Sequence, residues 1–468
     1  MRIKLLEKSK TFEAGLGYII GNIFIKGINF ITLPIFSRLM SPEEFGIYNI
    51  YLSYDSILFV LVGMALHSSV KSANYHFKKE INEYVSSISV IYLINMVNMI
   101  LGVFIFKDVI YKNIGYSTEK MILLIFFSTS SALITLYNEL ISITYEYKKY
   151  IGVAFANAFG NVTLSLVFML TFWGNRKDLG RIVGVTIINV FIAVYILVQF
   201  YRKAKPTYKG KYWKFGIKYC VPIIPHGVSQ VLLGQFDRIM IQRIISNQAA
   251  GIYSLAGNVK LVLVVISSSI STVWSTWFFE KASRNEKETI QKYGQELMLV
   301  FHVLLICVIS VGPEIIKILG GNAYKEATFL VFPMVMEAYI LFLYNLIVSS
   351  EYFKQKTGYI MGGTILAALI NVVTNYIFIR KYGFIAAAYT TLFSYGCYLM
   401  FHMIISYRLM NYCIVPIKSF IVCFINSIVF GILNLVFLEK CVIRYILCVG
   451  YLLIIIVIKV LWKKIARR

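Results

Sequence analysis

Apolar runs of about twenty residues recur along the chain, separated by short polar stretches, and roughly 20 apolar residues are what a helix needs to cross a bilayer. The runs place helices at 15–37, 47–69, 86–106, 121–143, 152–173, 182–200, 219–243, 251–277, 296–318, 327–349, 358–379, 385–406, 415–437 and 445–462. Strict alternation over ten-residue segments, the mark of a membrane β-barrel, is absent. The pattern predicts an all-α integral membrane protein with about 14 transmembrane helices.

Composition agrees. Of the residues, 59% are hydrophobic and only 15% charged, against about 25% charged in a soluble domain. A net charge of +24 raises nucleic acid as a partner, but the basic residues sit at the ends of apolar runs, where membrane topology explains them. An even helix count puts both termini on one side. With the N-terminus inside, the inner segments hold roughly 27 Lys and Arg and the outer ones roughly 13, so both termini are expected in the cytoplasm. The surplus peaks at 201–218, with Arg202, Lys203, Lys205, Lys209, Lys211, Lys214 and Lys218. The basic N-terminus runs into a full apolar span without a small-residue cleavage site, which reads as an uncleaved first helix. The seven cysteines lie in or beside apolar segments without CxxC spacing, as small buried residues do, and no metal site is expected.

The two halves resemble each other. Arg38-Leu39-Met40-Ser41 leads to Gly46-Ile47-Tyr48, and Arg243-Ile244-Ile245-Ser246 leads to Gly251-Ile252-Tyr253. Leu136-Tyr137-Asn138 matches Leu343-Tyr344-Asn345, Gly152 matches Gly358, and Gly180 matches Gly383, all at offsets of 203–207 residues. Repeats of this kind mark transporters. An even number of helices separates the copies, so the repeats are expected to run parallel. The expected organisation is a six-helix bundle over 1–200, a basic cytoplasmic linker over 201–218, a second bundle over 219–406, and two added helices over 407–468.

Between the first two predicted helices stands Leu33-Pro34-Ile35-Phe36-Ser37-Arg38-Leu39-Met40-Ser41-Pro42-Glu43-Glu44-Phe45-Gly46-Ile47-Tyr48. It resembles the signature of Wzx-type O-antigen and polysaccharide flippases. Pro222, Pro225 and Gln235-Phe236-Asp237-Arg238-Ile239-Met240-Ile241 resemble the start of that family's second half, and the likeness continues through Gly251–Ser254 and Gly383–Thr391. Many relatives carry an arginine near the inner end of helix two, where this chain has Lys71. The resemblance covers most of 10–400 and implies the superfamily of multidrug exporters and lipid II flippases, with two six-helix bundles around a central cavity and alternating access.

Ionisable groups inside a bilayer cost several kcal/mol, so they are expected to face a wet cavity or a partner. In the first predicted helix Tyr18, Asn22, Lys26 and Asn29 recur at helical spacing and form one polar stripe. In the seventh, His226, Gln230 and Asp237 fall within roughly 40° of each other. In the eighth, Tyr253, Gly257, Lys260, Ser267 and Ser271 form another stripe. Asp55 and Lys260 occupy equivalent repeat positions and have opposite charges suited to pairing. Lys26, Asn22, Asn29, Asp55, Lys260, His226 and Gln230 are therefore the expected cavity lining. His226 suits either a hydrogen-bonded packing role or a proton relay. Arg38, Asp237 and Arg238 are expected to be structural or gating residues, and Glu139 and Glu337 are candidates for ion coupling.

No GxxxxGK[ST], HExxH or GxSxG motif occurs, so neither a catalytic site nor a cofactor is expected. The resemblance implies a flippase carrying a polyprenyl-diphosphate-linked oligosaccharide, an O-antigen or capsule unit, across a bacterial inner membrane, with a polysaccharide polymerase and a chain-length regulator as possible partners beside membrane lipid. The rivals are a membrane polymerase or glycosyltransferase, which leaves the repeat unexplained, and a multidrug exporter, against which the basic stripes argue. On this topology, cysteines introduced at Lys209 and Arg468 resist impermeant thiol reagents in intact spheroplasts; labelling of both from outside overturns it.

Overall fold

The computed structural model describes residues 21, 27, 28 and 30–465, with side chains through 455. Among them all regular structure is helical. Ten described helical segments are long and apolar enough to cross a membrane. The chain divides into two compact units, 1–239 and 240–468.

The first unit holds α1 (Phe30–Leu39), α2 (Pro42–Gly63), α3 (Val70–His76), α4 (Ile81–Ile105), α5 (Lys107–Ile114), α6 (Thr118–Ile143), α7 (Tyr147–Thr171), α8 (Lys177–Lys203), α9 (Gly210–Cys220) and most of α10 (Ile224–Ile244). Ser41 starts α2 with a capping box: its hydroxyl accepts from Glu44 N, and Glu44 accepts from Ser41 N at 2.8 Å, which satisfies two N–H groups that the first turn would leave bare. The core joins Tyr84, Tyr92, Leu136, Ile196 and Tyr212 from α4, α6, α8 and α9. α7 and α8 lie close: a Cβ on Gly184 would stand 2.7 Å from the Ser165 backbone.

The expected linker 201–218 is partly a folded helix. In α9, Tyr212, Gly216 and Cys220 recur every four residues and are buried, while Lys211, Lys214 and Lys218 face outward. Lys209 pairs with Glu83 and Lys211 with Glu80, and Trp213 donates to Ser87 O at 3.1 Å. Burial, with the Glu80 carboxylate beside it, pushes the Tyr212 phenol above its ordinary value. The span expected at 219–243 has a bent start: a 3-10 turn at Val221–Ile223 precedes α10. Pro222 and Pro225 lack the N–H that a helix ladder needs there.

The second unit holds α11 (Asn247–Gly257), α12 (Leu261–Ser283), α13 (Lys287–Gly320), α14 (Val331–Ile347), α15 (Ser349–Phe353), α16 (Thr357–Tyr382), α17 (Ile385–Met410), α18 (Ile417–Val436) and α19 (Cys441–Ile465). The eighth span, expected unbroken over 251–277, is interrupted at Asn258–Lys260 between α11 and α12. The Asn258 amide donates to Ser254 O at 2.9 Å, a local bond that competes with continued helix. α14 is sheathed along its length, and Phe342 stacks on Phe301 at 3.9 Å between ring centres. The expected repeat has local counterparts in the backbone. Ser246 caps α11 as Ser41 caps α2, and Gly115 and Gly321 both turn the chain with positive φ, at 72° and 68°.

The two C-terminal helices dock on α13. Gln295 donates to Ser419 at 2.8 Å, His302 meets the Tyr451 hydroxyl at 2.7 Å, and the buried Arg444 binds Glu314 and the Ser310 carbonyl. Pro313 removes one rung of the α13 ladder, which loosens the carbonyls just before it.

The α7–α8 contact gives a stability test. Gly184→Ala forces the two backbones apart and lowers the thermal midpoint in detergent, by an amount equivalent to about 1–3 kcal/mol. Gly152→Ala, within α7 where a Cβ meets nothing within 4 Å, leaves it unlowered or raises it by the equivalent of up to about 1 kcal/mol, since alanine favours helix over glycine.

Candidate functional site

The break in the eighth span positions one charge. Lys260 stands at the break, and its ammonium donates to both Glu337 oxygens at 2.6 Å. The lysine side chain is 24% exposed and the glutamate 8%, so the pair is shielded on the α14 side yet open enough for the cation to be reached. Interrupted spans are where transporters place polar contacts, because irregular backbone is tolerated only beside protein or water.

Asp55 and Lys260, expected as a pair, lie in different units, and each has a partner within its own. Asp55, half-buried on α2, accepts from the Ser128 hydroxyl of α6 at 2.7 Å. Lys260 is answered by α14 instead. Each half thus resolves its own intramembrane charge, and in both the partner comes from the half's fourth span. A second contact reaches the fourth span of each half. Lys71 of α3 lies 3.1 Å from Glu139 of α6, and in the other half Trp274 of α12 donates to Leu346 O of α14 at 3.0 Å, with Leu346 standing 207 residues after Glu139.

Of the other expected site residues, Lys26, Asn22 and Asn29 lie outside the described residues. His226 on α10 is half-buried, and its Nδ1 has no hydrogen-bond partner. Gln230 is exposed, as is Arg38 near the end of α1. Arg238 donates to the Gln235 side chain, and Asp237 is buried. Glu139 and Glu337, the candidates for ion coupling, each pair with a lysine.

Two polar clusters escaped the sequence reading. Asn157 donates to Asn189 at 2.6 Å, Asn161 to Asn157 at 2.9 Å, and Asn189 to Ser131 at 3.4 Å. Asn157, Asn189 and Ser131 edge a cavity of about 250 Å³ that also takes Thr135, Asn138 and Tyr150. The four-residue spacing of Asn157 and Asn161 was its signal. In the second unit Glu351 and His402 are both fully buried, with Nδ1 2.5 Å from Oε1. Glu351 stands among Lys354, Gln355 and Lys356, where a sequence reads as membrane surface. No group of three His, Cys, Asp or Glu side chains converges among the described residues.

Comparison with known proteins fits this picture. The profile of a family described as "Polysaccharide biosynthesis protein" matches residues 14–281. The chain belongs to that family. It is 23% identical over 382 residues to "Lsg locus putative protein 1" of Haemophilus influenzae, covering 78% of this chain and 90% of that protein. It is 21% identical over 393 residues to "Capsular polysaccharide biosynthesis protein CapF" of Staphylococcus aureus, covering 79% and 93%. Among solved structures it shares the fold of "Lipid II flippase MurJ, inward closed conformation", with TM-score 0.69, 17% identity, and coverage of 93% and 96%. It also shares the fold of an inward-facing multidrug resistance MATE family transporter of the MOP superfamily, with TM-score 0.61, 12% identity, and coverage of 84% and 98%. The likeness to Wzx-type flippases read from the 33–48 segment and the family match agree.

The Lys260–Glu337 pair lies between the exposed and fully buried limits, so removing one partner costs roughly 1–3 kcal/mol. Lys260→Ala and Glu337→Ala each lower stability against denaturation in detergent, and the double variant loses less than the sum of the two. Strict additivity shows that the two side chains do not interact.

Proposed function

We propose that this member of the polysaccharide biosynthesis family is a flippase that moves a polyprenyl-diphosphate-linked oligosaccharide, an O-antigen or capsule repeat unit, from the inner to the outer leaflet of a bacterial inner membrane. The observation that carries the reading is Lys260: a cation inside the apolar half of the chain, at a helix break, held by a single carboxylate. A diphosphate head is anionic and strongly hydrated, so its unaided passage through hydrocarbon is very costly. Fixed cations replace part of that hydration. The head takes Lys260 over from Glu337, with Lys26 of the first span as the second cation, while the lipid tail stays in the bilayer. Access then alternates between the two sides. In this reading the chain has fourteen spans, both termini in the cytoplasm, a linker at 201–218 between the halves, and a polymerase and chain-length regulator that take the delivered units.

The capsular polysaccharide protein among its relatives and the lipid II flippase that shares its fold support a lipid-linked glycan. The multidrug transporter fold supports the rival of a drug exporter. The basic character of Lys26 and Lys260 favours an anionic cargo over the cations that a drug exporter of acidic lining would take.

At an effective dielectric of about 20, one charge pair at about 4 Å is worth roughly 4 kcal/mol before desolvation. Loss of half of that slows transport by more than about tenfold. Lys26→Ala and Lys260→Ala are therefore expected to reduce surface polysaccharide per unit of protein in the membrane, beyond any fall in abundance that the lost Glu337 contact causes, and Lys26→Arg retains more activity than Lys26→Gln. The deciding measurement is translocation of a defined lipid-linked sugar in vesicles that contain this protein alone. Full export by both alanine variants at normal abundance makes these charges structural.

A further inference from the structure

Arg181, near the start of α8, has no carboxylate partner among the described residues. Its guanidinium carbon lies 3.5 Å from the Phe36 ring centre and 4.2 Å from that of Tyr48, so the planar group is clasped between two aromatic faces. Nε and Nη1 are buried and make no hydrogen bond among the described residues, where the Tyr48 hydroxyl is its polar side-chain partner. Stacking accounts for the faces of a guanidinium but leaves its edge donors unmet. Buried N–H groups without acceptors cost about 1–3 kcal/mol each, more on a charged group.

The local charges do not answer it. Asp178 is taken by Arg176 at 3.3 Å. Glu44 accepts from the Ser41 and Lys177 backbone N–H groups at 2.8 and 2.9 Å. Lys177, one turn before Arg181 on the same face, donates its ammonium to the Leu39 carbonyl at 2.8 Å. Lys120 of α6 stands over the Tyr116 ring at 4.2 Å, close enough to feel both Arg176 and Asp178. These cations gather at the positive end of a 27-residue helix, where the macrodipole disfavours them and favours an anion.

Packing does not demand the arginine. Gly180 and Gly383 match at an offset of 203, and the same offset carries Arg181 onto Phe384. The second half fills the corresponding position with an aromatic ring. The neighbouring chain marks the height of a membrane surface: Phe172 is 70% exposed and Trp173 half-buried, and aromatic residues concentrate at that level.

We propose that the start of α8 binds the phosphate group of a membrane lipid, with Arg181 giving the edge donors and Lys177 the flanking charge. A phosphate oxygen entering in the guanidinium plane meets the orphaned N–H groups and the helix end together. Two lipids carry that chemistry, an anionic phospholipid and a polyprenyl diphosphate. The site does not depend on the transport reading above.

The test uses the full chain in phosphatidylcholine nanodiscs, with phosphatidylglycerol or undecaprenyl diphosphate added. Lipid retention is read by native mass spectrometry, alongside the thermal midpoint. The wild type retains the added anionic lipid in preference to phosphatidylcholine and gains thermal stability. Arg181→Gln loses both, with retention at least about tenfold lower, and Arg181→Lys recovers part. Should the glutamine variant fail to fold, Arg181→Met, which keeps an apolar stem between the rings, is read the same way. Retention of the diphosphate alone assigns the site to the isoprenoid carrier, and equal retention of both assigns it to bulk phospholipid. Either supports the proposal. Retention by the variants equal to the wild type, or no retention by the wild type, overturns it, and neither result bears on translocation by Lys26 and Lys260.

Discussion

Hydrocarbon offers no hydrogen bonds, so each polar group placed within a span has to be answered by the protein itself. That constraint fixes which helices touch. Asp55 draws α6 to α2 through Ser128, and Glu337 draws α14 to the break before α12 through Lys260. Arg444 binds the last helix to α13 through Glu314, and His402 binds α17 to the chain just after α14 through Glu351. Apolar packing alone discriminates weakly between one helix face and another in lipid, because tails are as apolar as leucine. The polar pairs supply the register that apolar contact leaves open.

The repeat shows the same constraint solved twice with different chemistry. A serine caps the second span in each half, and a positive-φ glycine turns the chain at matching places. Between those fixed points the charges differ. Position 55 carries an acid satisfied by a hydroxyl, and position 260 carries a base satisfied by an acid. The first half keeps its second span continuous past Asp55, whereas the second half breaks it beside Lys260. A neutral hydroxyl partner fits within a regular ladder. A bidentate ion pair needs the ammonium set at a particular height and angle, which a bent backbone provides.

What the sequence disclosed follows from the range of each signal. Apolar runs are local and long, so they located most of the described helices, but not their ends, with α13 starting nine residues before the expected 296, nor the break within 251–277. Intramembrane charges were visible as anomalies one residue at a time, and Asp55, Lys260, Glu139 and Glu337 were all singled out. Their partners were not visible, because pairing depends on helix rotation and depth, which no local pattern carries. The symmetry argument that joined Asp55 to Lys260 assumed contact between equivalent positions, whereas the nearest available answer for each was its own half's fourth span. Glu351 and Arg444 were passed over for a different reason: both adjoin polar loop residues and so read as surface, yet both are fully enclosed. The amide chain of Asn157, Asn161 and Asn189 carries no charge and so raised no flag. The break at Asn258–Lys260 lacks proline; the Asn258 side chain bonds the Ser254 carbonyl there, a contact that composition does not reveal. The first-span stripe of Asn22, Lys26 and Asn29 lies outside the described residues and stands as a reading of the sequence.

A fold shared by a lipid II flippase and a multidrug transporter cannot by itself select a cargo. Selection has to come from the groups that the cargo displaces. A cationic drug is favoured by a carboxylate with no permanent partner. Here the carboxylates Glu139 and Glu337 are already held by lysines, and on the reading proposed above what a cargo gains by entering is a lysine whose present partner can be replaced by a stronger anion. On that reading a diphosphate, with more charge and more acceptor oxygens than one carboxylate, competes for Lys260 on favourable terms, and the glutamate it displaces is left to water or a proton. Exchange of one anion for another on a fixed cation also limits how tightly the head is held, since Glu337 stays close by to reclaim the lysine. A carrier needs that balance: affinity sufficient to strip hydration from the head, and a competing internal partner that lets it go on the far side.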